Sequence, residues 1–405
     1  MLGGPVSEFH GRKTVYLLTL PVFILFTMGA GLSQDIVSLL VCRFFSALSG
    51  SPALAVSAGT VADVWDMEHG GGLAAVLVTQ VAFLGPTVGP LIGGFVMQTR
   101  HDWRWTMWVM LLVSAPVTLA VLLSQETSKK QILKHRSWKR GYLPPPKLSA
   151  GQTLRFFITV TLFRPIRMLL TEPILSSITV YNAFVFGVLF AFFGSYPYVF
   201  RSVYGFDDAE IGLAFIGILI GTLLAVVTYM VVDMTLYTKA KIHAPGGKPA
   251  PEERLYTAML GSFGIPISMF WFGWTARTDV HWIVPIIAGI PFGWGTLTLL
   301  VSSLKFTSNI DACEALLIRR LQLGCMTYLI DTYGALYGAS AIAANTLVRY
   351  SVGAAFPIFI VQMYEKLGVA WASSLLGFVG VGLLPIPWVL YKWGPFLRSK
   401  SSFQT

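Results

Sequence analysis

The sequence predicts an all-α polytopic membrane protein, and three observations carry that expectation. Apolar residues make up 55% of the 405 and charged residues 12%, about half the charged share of soluble domains. Stretches of about 20 apolar residues recur along the chain, each long enough to cross a hydrocarbon core of roughly 30 Å. These stretches are apolar on every face, whereas the strands of a membrane β-barrel alternate.

Ten spans follow in order, at residues 14–33, 36–60, 72–97, 104–123, 177–200, 211–232, 255–275, 282–302, 339–361 and 371–391. Residues 1–13 ahead of them have no apolar centre and do not read as a cleavable signal peptide. After the fourth span, residues 124–176 form the longest hydrophilic stretch. Its "SKKQILKHRSWKRGYLPPPK" cannot cross a membrane, because of its charges and its Pro run. It continues into "TLRFFITVTLFRPIRMLL", apolar at helical spacing but interrupted by Arg155, Arg164, Pro165 and Arg167. That segment reads either as a linker or as a helix lying along the membrane surface. The expected organisation is a partial bundle over 1–123, a linker over 124–176, a second bundle over 177–391 and a tail over 392–405.

The net charge of +10 raises the question of a nucleic-acid partner, and its placement answers it. With the N-terminus in the cytoplasm, the inner segments hold 22 of the 29 Lys and Arg, and the outer segments hold four: Arg100, Arg201, Arg277 and Lys366. The remaining three, Arg43, Arg104 and Arg349, fall within spans. This asymmetry places both termini inside, and the basic excess is a matter of topology rather than an RNA-binding face. Cys42, Cys313 and Cys325 do not make a disulfide framework. The six histidines lie in loops or at span edges without metal-ligand spacing. No Gly-x-Ser-x-Gly elbow or phosphate loop occurs. Enzyme chemistry has no visible residues to run on, and no metal or cofactor is expected.

Two motifs stand out. Residues 4–13, "GPVSEFHGRK", set Gly4, Glu8, Gly11, Arg12 and Lys13 in a tight charged turn just before a span. Glycines permit the turn, and the charges can pair with helix ends and neighbouring loops. Residues 85–94, "GPTVGPLIGG", place Gly85, Gly89, Gly93 and Gly94 at three- and four-residue spacing within one span, interleaved with Pro86 and Pro90. Small residues at that spacing let a neighbouring backbone approach, and the prolines remove amide donors and bend the helix.

The first motif resembles the loop between the second and third helices of the major facilitator superfamily, and the second resembles the fifth-helix signature of its proton-antiporting members. "VCRFFSALSGSPALAVSAGTVADVW", "DWRW", "EPI", "PEERL", "YLIDTYGALYGASAIAANTLVRYSVGAAFPIF" and "LRSKSS" narrow the likeness to the fungal twelve-span drug:proton antiporters, in the polyamine and multidrug exporter branch. On that pattern the ten spans correspond to helices three to twelve of a major facilitator fold, and the chain reads as N-terminally incomplete.

The resemblance implies roles. Asp63 and Arg12 would form a gating pair at the cytoplasmic face, with Glu8 facing the start of the eleventh helix. Arg43 would serve proton coupling or helix packing. Arg349, with Asn345 one turn earlier on the same face, would form a polar stripe that is either functional or structural. Glu172 could attract a cationic substrate or simply sit at the interface. Tyr181, Asn182, Tyr196 and Tyr198 offer aromatic and hydrogen-bonding faces suited to bulky cations, though aromatics in spans also serve packing and interfacial belts. The implied function is proton-driven export of organic cations, drugs or polyamines by a monomer in the plasma or vacuolar membrane, powered by the proton gradient. The alternative is a non-transporting remnant of that family.

One region departs from the pattern. The span that begins near Asp35 reaches Asp63 after 28 residues, whereas its repeat-related counterpart, from His281 to Asp331, takes 50. The surplus falls near 303–326, which is either a cytoplasmic insertion or translated non-coding sequence at odds with its surroundings.

Overall fold

A computed structural model describes residues 7, 11–64, 71–128, 131–133, 136–137, 163–232, 235–236, 255–300 and 325–399. Gly4, Glu8 and the surplus near 303–326, apart from the helix that begins at Cys325, lie outside the described residues. All regular structure among the described residues is helical: Arg12–Leu32 (α1), Ile36–Val64 (α2), Gly71–Arg100 (α3), Arg104–Leu123 (α4), Arg164–Thr171 (α5), Pro173–Tyr204 (α6), Asp208–Ala214 (α7), Ile216–Val232 (α8), Tyr256–Gly261 (α9), Gly264–Thr275 (α10), Ile283–Ile287 (α11), Gly289–Leu300 (α12), Cys325–Leu383 (α13) and Pro385–Ser399 (α14).

Each of the ten expected spans has a helical counterpart. Eight helical stretches among the described residues are long and apolar enough to cross a membrane by length and composition. The difference has two causes. The span at 255–275 is divided into α9 and α10 at Ser262–Phe263, just ahead of Gly264 and Pro266, where a glycine and a missing amide donor weaken the helix. The last two spans, in contrast, are joined: α13 runs through 59 residues, which would extend roughly 90 Å if straight. It is not straight. Gly368 takes φ +75°, a conformation open to glycine at little cost, and the chain reverses there. The Tyr364 hydroxyl bonds to the Ser373 hydroxyl at 2.9 Å across the turn.

Side-chain contacts fix the directions. The first pass of α13 runs parallel to α6: Phe186 meets Tyr350 at a ring separation of 5.2 Å, Gly187 lies against Val352 and Phe356, and Gly194 lies against Ile360. The second pass runs back along α10, with Gly273 beside Ser373, Phe270 against Phe378 and Pro266 beside Gly380. The core sits among α6, α10 and α12, with the residues around Phe215. Tyr196 stands at its centre, with rings of Phe192 at 4.6 Å, Phe215 at 5.0 Å and Phe272 at 5.3 Å. In the first four helices, α2, α3 and α4 have 0%, 11% and 6% of their spans buried, against 78% for α6. The apolar packing therefore concentrates in the later helices.

Most of the stretch expected to lie along the membrane surface is outside the described residues, and its last part forms α5. α5 is eight residues long, opens on Pro165, buries Met168 and leaves Phe163, Ile166 and Leu170 exposed. It stops where Glu172 begins α6.

α3 joins the first four helices to the later ones, running antiparallel to α7 and α8. At one end the Gln98 amide donates to Asp207 Oδ2 at 2.6 Å. Farther along, backbone meets backbone: a Cβ on Gly94 would strike the Asp208 carbonyl, and one on Gly212 would come within 2.7 Å of the Pro90 carbonyl. The Gln80 amide then donates to the Thr222 hydroxyl at 3.4 Å. α8 crosses α11 and α12 in the same manner, with Gly217 on the Ile286 carbonyl of α11, and Gly221 on the Ile290 carbonyl and Gly293 on the Ile218 carbonyl at α12.

Candidate functional site

The charged turn assembles a compact network at the start of α1. Gly11 precedes the helix at φ +96° and donates its N–H to the Ser7 carbonyl at 2.9 Å. Arg12 Nε lies 3.0 Å from Asp63 Oδ2, in the last turn of α2, and Arg12 Nη1 donates to the Ser7 hydroxyl. Lys13 Nζ donates to the carbonyls of Leu122 at 3.1 Å and Ser124 at 2.6 Å, so its charge sits on the carbonyl end of α4, where the helix dipole favours a cation. The expected Arg12–Asp63 pair is therefore formed, and both members belong to the first helices.

Sequence reasoning missed Glu126. It lies three residues beyond the end of α4, and its carboxylate accepts from the backbone N–H of Arg12 at 2.8 Å and of Lys13 at 3.1 Å. The first N–H groups of a helix have no partner within it, and a carboxylate there meets both that need and the dipole. A Cβ on Gly11 would strike the same carboxylate. The Arg12–Asp63 side chains are 15% and 21% exposed, so the hydration they give up offsets most of their attraction. A double-mutant cycle of Arg12→Ala and Asp63→Ala should give a coupling of about 1 kcal/mol in thermal stability; strict additivity would show the pair to be energetically idle.

The embedded residues fall into separate places. Arg43 is exposed on α2, and its guanidinium donates to the Met107 thioether at 3.8 Å. On α13, Arg349 lies over the rings of Phe186 at 4.8 Å and Tyr350 at 5.1 Å, and its Nε has no hydrogen-bond partner. Asn345, one turn before Arg349, and Asn182 and Tyr181, one turn before Phe186, are buried. The parallel packing of α6 on α13 brings these two turns to the same level.

Other expectations are redistributed. Glu172 is buried at the first end of α6, immediately before Pro173, two to three turns from Tyr181 and Asn182. Tyr196 belongs to the aromatic core rather than to an open face, and Tyr198 packs edge-on against Tyr364 at 6.5 Å. Of the glycines in the α3 motif, Gly94 alone is closely approached. A Cβ at Gly85, Gly89 or Gly93 would meet nothing within 4 Å among the described residues. Pro86 and Pro90 stand within α3, and it is the Pro90 carbonyl that meets Gly212.

Comparison with known proteins agrees with this architecture. The family model described as Major Facilitator Superfamily matches residues 1–309. Polyamine transporter 4 of Saccharomyces cerevisiae is 36% identical over 433 aligned residues, covering 100% of this chain and 62% of its own length; the chain thus spans less than two thirds of that relative. The Ascochitine biosynthesis cluster MFS transporter of Didymella fabae is 38% identical, covering 100% of this chain and 74% of its own. The efflux pump FUB11 of Gibberella fujikuroi is 34% identical, covering 100% and 67%. Among solved structures, the human organic anion transporter MFSD10 (TETRAN) superposes with a TM-score of 0.55 at 19% identity, over 96% of this chain and 79% of that one, a likeness of fold. Apolar helices in this arrangement, a family match over most of the chain and relatives above 30% identity lead to one assignment: this integral membrane protein belongs to the major facilitator superfamily.

Proposed function

We propose that the chain acts as a proton-coupled antiporter exporting small organic molecules by alternating access, with α1–α4 rocking against α6–α14. The observation that carries this reading is the pair of embedded cations. Arg43 and Arg349 stand inside apolar helices, and neither has a carboxylate within ion-pairing distance among the described residues. A charge held that way is costly, and in membrane proteins it marks a ligand or ion path. Family membership supports transport as the class of activity. The polyamine transporter and the efflux pump among the relatives support export, with polyamines, drugs and other organic cations as candidate cargo.

In this reading the proton gradient supplies the energy and no cofactor takes part. The protein works as a monomer in the plasma membrane, with the vacuolar membrane as the other location, and both termini face the cytoplasm. The Arg12–Asp63 pair then lies on the cytoplasmic side, where making and breaking it accompanies each cycle. The α3–α7 contact lies on the outer side.

Expression in a yeast stripped of its own drug exporters should raise tolerance to spermine, azoles or cycloheximide. Arg43→Ala should abolish that gain at equal surface abundance. No gain from an abundant surface protein would favour the alternative, a family remnant without flux.

A further inference from the structure

The short helix α5 carries three kinds of residue on three faces. Successive residues of a helix are turned by about 100°, so Phe163, Ile166 and Leu170 share one stripe, and all three are exposed. Arg167 borders that stripe, is exposed as well and has no ion pair among the described residues. Pro165 and Met168 lie on the far side and are buried, with Met168 joining the core that α6 and α13 share. A helix of eight residues does not hold alone in water. The Met168 contact therefore decides which face of α5 turns outward.

The depth of that face follows from α14. After the second pass of α13 runs back along α10, α14 continues toward the end of the bundle where α6 and α9 begin, and the Tyr391 hydroxyl meets that of Tyr256 at 3.2 Å. There Lys392, Trp393 and Phe396 are exposed. Exposed aromatic residues beside a base mark the boundary between hydrocarbon and headgroups. α5, immediately ahead of α6, stands at the same end. Charge completes the picture. Residues 124–176 hold ten Lys and Arg against two acids, Glu126 and Glu172. Glu126 accepts from the first amides of α1, and Glu172 is buried, so neither offsets the bases at the surface.

We propose that α5 binds anionic phospholipid of the cytoplasmic leaflet, with Phe163, Ile166 and Leu170 among the acyl chains and Arg167 on the headgroup. The proposal goes beyond transport and names no cargo; its choice of leaflet rests on the orientation given above.

The test uses the full 405-residue chain in phosphatidylcholine nanodiscs carrying a trace of photoreactive phosphatidylserine or, in parallel, photoreactive phosphatidylcholine. Crosslinks are mapped to peptides by mass spectrometry. The peptide bearing Phe163–Thr171 should capture the serine lipid at least about fivefold over the choline lipid. Unlabelled phosphatidylserine should compete, and inorganic phosphate should not. Arg167→Gln should lower the preference about fivefold, Arg167→Lys should keep it, and Ile166→Ser with Leu170→Ser should lower capture of both lipids. Equal capture of the two lipids by the unaltered chain would overturn the proposal, as would full competition by inorganic phosphate or a preference unmoved by Arg167→Gln. Capture of neither lipid at α5 would mean that protein covers the stripe, and would also overturn it. The comparison of the two lipids needs no variant, so it decides the matter even if a substituted chain does not fold. Nanodiscs are open on both faces, so orientation is tested separately: labelling of Thr171→Cys from outside intact yeast, beyond that of the unaltered chain, would refute the cytoplasmic leaflet. Serine-lipid capture at α5 without flux under a pH gradient in vesicles would refute export and leave the lipid site. Gradient-driven flux without such capture would refute the lipid site and leave export.

Discussion

A Gly293→Val chain should fail to hold its later helices together. The Cβ at this position would lie on the Ile218 carbonyl and within 3.1 Å of the Thr222 amide, and neither can move without displacing α8. Overpacking a backbone-to-backbone contact of this kind should cost about 3 kcal/mol or more. The measurement is the yield of monodisperse protein in mild detergent and its melting temperature, with Gly382→Ala as the comparison, since a Cβ at Gly382 meets nothing within 4 Å. Equal melting of the two variants would show that the α8–α12 crossing carries no such constraint.

Removal of the Glu126 carboxylate is the second large expected effect. Glu126→Ala leaves the first N–H groups of α1 without their acceptors and takes an anion from the positive end of the helix. Hydrogen bonds to a charged acceptor are worth about 1.5–3 kcal/mol when their partner is left behind, and partial exposure of this site argues for a loss of about 2 kcal/mol in all. Hydrogen exchange at the Arg12 and Lys13 amides should quicken selectively, and Glu126→Gln should recover part of the protection. Unchanged exchange at both amides would remove Glu126 from the network.

The contrast between these two sites shows what the sequence could disclose. The spans were legible because a bilayer demands an apolar run of about 20 residues, and that demand is local. Arg12–Asp63 was legible because each sits in a stretch resembling a known pattern. Glu126 was not. It is more than 110 residues from the amides it serves, among ordinary hydrophilic neighbours, and only folding brings it to α1. The glycine crossing had a readable sign that went unused: Gly217 and Gly221, and Gly289 and Gly293, stand at the same four-residue spacing that drew attention to 85–94. Spacing announces that a backbone can approach but does not say which glycines are met. Here Gly94, Gly217, Gly221 and Gly293 are met and Gly85, Gly89 and Gly93 are not. Tyr196 illustrates the converse limit, since a tyrosine inside an apolar helix reads alike whether it faces a substrate or four phenyl rings.

The Gly94–Gly212 contact has a mechanical consequence. Two rods that touch through bare peptide groups have no side chains to climb over, so one can roll along the other with little friction. Motion of the halves would then be resisted by the Gln98–Asp207 and Gln80–Thr222 bonds at either end of that line. Weakening these bonds should speed the rolling without loosening either rod.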